Sequence, residues 1–247
     1  MRIRVLLILV LLAAAVAADS WAPWAPRLAV SPGGRHYLVA RETVNPRGRV
    51  EFELCRRRAG AGRIAGPVRR DPRDRLLVRG VYAQLPVEIR VLDGEPAAVF
   101  FENYGDIGRA HSLALLDARG EVRWRLELED LFTGPEVRQF VQTSASIWWY
   151  AGWWLDERRG KAVLVSKVAS LREVDLRTGN VGEPPDTVLL TRIGNGPEAE
   201  QKLALEAAAK LRPEGLAEPA RAIAADRARP FSLRLRAAVA LRAAGGP

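Results

Sequence analysis

The sequence predicts a mainly β protein, built either as a propeller-like array or as stacked antiparallel sheets, with a small α-helical module at the C-terminal end. Between residues 28 and 193, short runs of alternating apolar and polar residues are separated by turn signals, which is typical of antiparallel strands. Beyond residue 196 the apolar period becomes helical. A content of 48% hydrophobic and 27% charged residues indicates a folded globular chain.

The first 18 residues have the order of a secretory signal peptide. Arg2 and Arg4 form a positive start, residues 5–16 form an unbroken apolar run, and small residues follow. The apolar run is shorter than the ~20 residues that a membrane-spanning helix needs. We therefore expect cleavage before Ala18 or Asp19, and an exported protein, periplasmic or secreted, that is not transmembrane once processed.

The β-domain is predicted over residues 19–193. Its strands are expected where an alternating or short apolar run is bounded by turn residues. The predicted strands are Leu28–Val30, His36–Glu42, Arg49–Arg57, Leu76–Tyr82, Val87–Leu92, Ala97–Glu102, Ser112–Asp117, Val122–Leu128, Ile147–Trp154, Ala162–Lys167, Leu171–Leu176 and Thr187–Arg192.

Two turns in this domain share one pattern, an Asp followed within four residues by a Gly. Asp117 with Gly120 and Asp175 with Gly179 predict hairpins, because Asp bonds to its own backbone and Gly accepts a positive φ. Together with the turn at residues 31–34, they resemble the blade hairpins of β-propellers. The resemblance covers about residues 27–193 and implies blade-like sheets. Two stacked sheets would contain the same turns, so both architectures stay open.

A second resemblance concerns residues 100–112, the Asp117 turn and residues 146–149. Together they are similar to a group of uncharacterised exported bacterial proteins, and this similarity implies no activity.

The α-helical module is predicted over residues 197–247. Pro197, Pro213 and Pro230 delimit three helices, which are expected at residues 197–211, 216–226 and 232–243. In the third helix, one side carries Leu233, Ala237, Ala240 and Leu241, and the other carries Leu235 and Val239. This helix can therefore be covered on two sides. Residues 228–242 resemble the second half of a HEAT-type helical repeat, and we expect the module to pack on the β-domain.

The composition argues against several kinds of chemistry. The chain has two His and a single cysteine, Cys55, which excludes a Cys-rich zinc site and a disulfide within the chain. It contains no phosphate-binding loop, no G-x-S-x-G elbow and no H-E-x-x-H motif. We therefore expect no cofactor, no metal site and no catalytic residue, which favours a non-enzymatic protein. Oxygen-ligated calcium stays open as an alternative, because it needs neither His nor Cys.

Two groups of residues are candidates for ligand binding. Residues 146–154 contain four of the 7 Trp. If the rings of Trp149 and Trp153 are exposed, they could stack on sugars; if they are buried, the same residues belong to the core. The second group is Tyr104, Asp106 and His111, in a Gly-containing loop beside Glu102. Asp106 could orient His111 for acid–base chemistry, but nothing in the sequence supplies a nucleophile or a metal.

Residues 56–75 form a basic loop with eight Arg and two Asp. We expect this loop to be exposed and mobile, and to contact an anionic partner or simply to be solvated. Because it lacks aromatic residues, base stacking is not supported and no specific nucleic acid is expected. The candidate residues for an anionic partner are Arg56, Arg57, Arg58, Arg69 and Arg70.

Taken together, these features favour an exported, non-enzymatic binding or interaction protein of the cell envelope. Its expected partner is a protein or another envelope component, with a glycan or an anionic surface as further options. The first alternative is a carbohydrate-binding module that uses the segment Trp148–Trp154. The second is a glycan hydrolase that uses acidic residues near His111.

Overall fold

The computed structural model describes residues 24–44, 48–60, 68–95, 97–103, 112–142 and 147–245. Within these ranges the chain is mainly β, with antiparallel sheets and a helical C-terminal part, as the sequence predicts. The described strands form no closed barrel.

The strands of the described residues form three four-stranded sheets and one short pair, and in each four-stranded sheet the order follows the chain. The first contains β1 Arg27–Val30, β2 His36–Glu42, β3 Val50–Arg56 and β4 Arg75–Tyr82. The second contains β5 Pro86–Val91, β6 Ala98–Asn103, β7 Leu113–Leu116 and β8 Val122–Leu126. The pair is β9 Val141–Gln142 and β10 Ile147–Trp148. The third contains β11 Tyr150–Asp156, β12 Lys161–Ser166, β13 Leu171–Asp175 and β14 Val181–Gly182.

The helices of the described residues lie mostly at the C-terminal end. Two short ones, α1 Leu128–Leu131 and α2 Gly134–Val137, follow β8. The others are α3 Asp186–Asn195, α4 Glu198–Leu211, α5 Ala217–Ala225 and α6 Phe231–Ala243. The last three confirm the predicted helices to within two residues at each end.

The chain divides into two compact units, residues 1–122 with 143–147, and residues 123–142 with 148–247. In the first unit, side chains of the first two sheets share one hydrophobic core. The Phe100 ring contacts Phe52 and Tyr82 edge-on, with centroid distances of 5.7 and 4.7 Å. The Trp24 indole donates to the Pro86 carbonyl at 2.8 Å within this core.

In the second unit, the third four-stranded sheet packs against the helices. Trp154, Val163 and Val165 share a core with buried side chains of α3, α4, α5 and α6. Gly152 allows this contact, because a Cβ there would lie 2.5 Å from the Leu203 side chain of α4. The expectation that the helical module packs on β-structure is therefore confirmed for this sheet.

One predicted strand is wrong, because residues 187–192 belong to helix α3. Their β-branched and apolar residues resemble a strand, but Val188, Leu189 and Ile193 are buried together with the other helices. Packing of such an apolar face contributes more to the stability of a helix than the local helix propensity of its residues does. The signals that indicate this helix are Pro185 at the N-cap, an acidic first turn and Gly196 at the C-cap.

The two repeated turns have the predicted chemistry. The Oδ1 atom of Asp117 accepts the backbone N–H two residues later at 2.8 Å, and Asp175 Oδ1 does the same at 2.9 Å. Gly120 and Gly179 have φ values of +81° and +77°, which an L side chain rarely adopts. Both prediction and structure therefore assign these aspartates to hairpin formation.

Gly179→Ala should destabilise the second unit more than Gly160→Ala does. Both glycines have a positive φ, but a Cβ at Gly179 would lie 2.9 Å from Trp124, whereas nothing lies within 4 Å at Gly160. We expect a loss of about 1 kcal/mol for Gly160→Ala from backbone strain alone, and about 1–3 kcal/mol more for Gly179→Ala. Urea unfolding of both variants measures the difference, and equal losses would contradict the predicted contact with Trp124.

Candidate docking surface

Most of the Trp-rich segment is buried. Trp149 is 0% exposed, Trp153 3% and Trp154 1%. The Trp149 ring lies 5.4 Å from the Phe132 ring, measured between centroids. The faces of Trp149 and Trp153 that the sequence offers as a sugar platform are thus part of the core, and stacking on a sugar needs an exposed ring.

Trp148 is the solvent-facing tryptophan of this segment, with 45% of its surface exposed. It lies on β10, one residue before the buried Trp149, so successive side chains point to opposite sides as in a strand. The Nζ atom of Lys167 lies 4.8 Å from the centre of the Trp148 ring, a cation–π contact. A ligand with an apolar face and a negative group could contact both side chains.

Tyr104, Asp106 and His111 lie outside the described residues, and so does the side chain of Glu102 at the end of β6. In the part of the chain that the structure describes, no three His, Cys, Asp or Glu side chains lie close enough to hold a metal ion.

The second half of the basic loop is ordered, so the prediction of a mobile loop is wrong for residues 68–75. The buried carboxylate of Asp74 accepts the Arg58 N–H and the Tyr37 hydroxyl, both at 3.0 Å. Arg70 donates to the Asp74 carbonyl at 3.3 Å, and the carbonyl of Val68 accepts from Arg41 at 2.7 Å. Two of these partners, Tyr37 and Arg41, lie on β2 of the first sheet, so the sequence pattern of the loop could not reveal them.

The predicted basic residues are brought near one end of the first sheet. Arg56 and Arg75 are directly opposite each other on β3 and β4, and both are exposed. Arg58 and Arg69 are also exposed, whereas Arg57 is half-buried and donates to the Gly34 carbonyl at 3.2 Å. Like charges at opposite strand positions repel, so this end of the sheet favours anions in general.

Two titratable side chains of the first sheet, Cys55 and His36, are buried. Burial raises the pKa of the Cys55 thiol to about 11, so it is not a thiolate at neutral pH. Burial, followed by the charge of Arg56, lowers the pKa of His36, which favours the neutral imidazole. The Cys55 thiol therefore lacks the ionisation of a nucleophile, and His36 is an uncharged, buried imidazole.

The clearest exposed apolar surface lies on α6. Phe231, Leu235 and Val239 are 71%, 53% and 56% exposed, and their spacing of four residues places them on one helix face. We call these three residues the α6 stripe. The opposite face, with Leu233, Ala237, Ala240 and Leu241, is buried against α4 and α5. The sequence pattern identified both faces of this helix, and in the structure one of them is covered.

Basic side chains surround the α6 stripe. At 100° per residue, Arg234 borders it on one side, Arg236 borders it on the other, and Arg242 lies at its C-terminal end. Arg236 is paired with Glu206, whereas Arg234 lies over the Phe231 ring at 5.9 Å. Helix α6 has no acidic residue. The stripe is therefore an apolar surface with a cationic border.

Comparisons with known proteins add no identity. No protein-family model matches the chain, and no curated protein matches it in sequence. Among the described residues, no helix is both long enough and apolar enough to cross a membrane.

Proposed function

We propose that the chain is an exported, non-enzymatic binding protein of the cell envelope that docks through its helical module. The observation that carries this proposal is the α6 stripe, in which three exposed apolar side chains lie on a well-packed helix. Contiguous exposed apolar groups with a polar border mark interaction sites in many proteins. The signal-peptide pattern of residues 1–18 supports export.

The stripe can be changed without disturbing the core, because its side chains contact mostly solvent. The triple variant is Phe231→Gln, Leu235→Gln and Val239→Gln, and Gln is a residue of high helix propensity. We expect this variant to keep its thermal stability but to lose most of its retention on envelopes from the native host. The matched control is the double variant Val81→Gln and Val141→Gln, which removes side chains that are 59% and 60% exposed elsewhere. Equal retention of the wild type and the triple variant would contradict the proposed function.

A carbohydrate-binding function is the second candidate, and the exposure of Trp148 favours it. Trp148 offers a ring face, and Lys167 could contact an acidic sugar. Affinity electrophoresis of Trp148→Ala in gels containing cell-wall or acidic polysaccharides tests this candidate. A glycan that retards the wild type but not Trp148→Ala would support it, and no retardation by any glycan would exclude it for those polymers.

We further propose that the three four-stranded sheets correspond to propeller blades. Each has its strands in chain order, and two of them contain the Asp–Gly hairpins that resemble blade hairpins. An experimental structure tests this proposal through the packing of the sheets, since blades lie around a common axis and stacked layers do not.

A further inference from the structure

We propose that the α6 stripe binds the surface of a lipid membrane that carries negatively charged headgroups. This inference rests on the proposed function and names the envelope component that the stripe contacts.

The size of the stripe favours lipid over a protein partner. Three partly exposed side chains offer a few hundred Å² of apolar surface, well below the ~800 Å² that each partner contributes to a typical stable protein interface. Binding to a lipid surface needs less apolar area, because a few inserted apolar side chains act together with electrostatic attraction to the headgroups. Phe231, Leu235 and Val239 lie along about two turns of one helix, which suits an axis parallel to the membrane plane.

The charges favour an anionic surface. Arg234 and Arg242 have long stems that can lie beside the stripe while their guanidinium groups reach the headgroups. No carboxylate on α6 opposes this contact. A second copy of the chain is a poor occupant, because pairing two stripes face to face would bring the arginines of one helix near those of the other.

The position of α6 leaves this face accessible. The helix contacts α5 and α4 through its buried face. The stripe lies on the opposite side of the helix, and its three residues are exposed. Docking on lipid therefore requires no rearrangement of the core.

The test uses vesicle co-sedimentation with the form that begins at Asp19, because residues 5–16 would themselves insert into lipid. Vesicles of equal parts phosphatidylglycerol and phosphatidylcholine are compared with vesicles of phosphatidylcholine alone. We expect binding to the anionic vesicles, weak binding to the neutral ones and a loss of affinity as salt is added. The triple stripe variant should bind at least about ten-fold more weakly, since the apolar contribution is removed.

A pair of charge variants separates a local site from the overall charge, which is +9 for the full sequence and +7 once Arg2 and Arg4 are removed with residues 1–18. The variant Arg234→Gln with Arg242→Gln should lower the affinity for anionic vesicles about thirty-fold, because each basic residue at such a surface contributes about a factor of five. The control, Arg158→Gln with Arg221→Gln, removes the same charge from exposed positions of the same unit. Equal losses in the two variants would overturn the assignment to α6.

A second measurement reports insertion directly. Because Cys55 is buried, a polarity-sensitive dye can be attached selectively to the variant Leu235→Cys. We expect its emission to shift to the blue on anionic vesicles and to stay unchanged on neutral ones. An unshifted dye on bound protein would contradict contact through the stripe.

The outcomes distinguish this inference from the proposed function. If anionic vesicles do not bind the chain but the stripe variant still loses retention on native envelopes, lipid is the wrong partner and the docking function remains. If the chain self-associates and the stripe variant does not, the stripe binds a second copy of the chain, and the proposal of lipid binding is likewise overturned. If the stripe variant behaves as the wild type in every assay, both proposals fail.

Discussion

Trp149→Ala should destabilise the second compact unit by about 3–5 kcal/mol, one of the two largest effects that we expect from a single substitution. Trp149 is 0% exposed and packs against Phe132 and Tyr150, with ring centroids at 5.4 and 5.8 Å. Removing the indole leaves a cavity that these rings can fill only in part. Chemical denaturation monitored by circular dichroism measures the loss.

The neighbouring Trp148→Ala is the matched control for this prediction. The same residue type is replaced one position earlier, where the side chain is 45% exposed, so we expect a loss below about 1 kcal/mol. This contrast also decides which variant can test glycan binding. If Trp149→Ala is no longer retarded by a glycan, the cause would be unfolding. If Trp148→Ala is no longer retarded, the cause would be the loss of a contact with the glycan. Similar stabilities of the two variants would contradict the burial of Trp149.

Arg172→Met should cost about 3–5 kcal/mol, because it breaks a buried ion pair and leaves Glu136 without its cation. The Arg172 side chain is 11% exposed, and both oxygens of Glu136 accept from its Nη2 at 2.7 Å. Its Nε also donates to the Leu131 carbonyl at 2.8 Å, and its guanidinium lies 5.3 Å from the centre of the Phe132 ring. One side chain thus connects β13 to both α1 and α2.

Arg79→Met is the control for Arg172→Met. Arg79 also pairs with a glutamate, Glu53, but its side chain is 57% exposed. Ion pairs of this kind contribute little, so the expected loss is below about 1 kcal/mol. Thermal melts and urea titrations of both variants give the comparison. Equal losses would show that burial does not set the contribution of Arg172.

The same pair makes stability depend on pH. Burial by itself would raise the pKa of Glu136, but hydrogen bonds from Thr133 and Ser170 and the charge of Arg172 lower it from 4.5 to about 2. The unfolded chain therefore binds a proton at a higher pH than the folded chain does. The contribution of Glu136 is complete above about pH 4.5 and is lost as the pH falls towards about 2. Glu136→Gln should reduce this loss, as measured by urea unfolding at about pH 6 and about pH 3.

Local signals in the sequence determined the hairpins and the last three helices. The Asp117 and Asp175 turns depend on a side chain bonding to its own backbone and on a glycine with positive φ, both of which are contained within a few residues. Helices α4, α5 and α6 follow from proline boundaries and a helical apolar period. The period also predicted that α6 has two apolar faces, although not which one is covered.

Tertiary structure decided the features that depend on what packs against a segment. Residues 187–192 are helical because α3 buries its apolar face with the other helices, and Trp149 is buried while Trp148 is exposed because only one side of that strand meets the core. Residues 68–75 are held by hydrogen bonds to Asp74. One of its partners, Tyr37, is distant in sequence, and the other, Arg58, lies at the opposite end of the loop. Burial depends on contacts between residues that are distant in sequence. Alternation and composition could therefore single out these residues but could not predict which of them are buried.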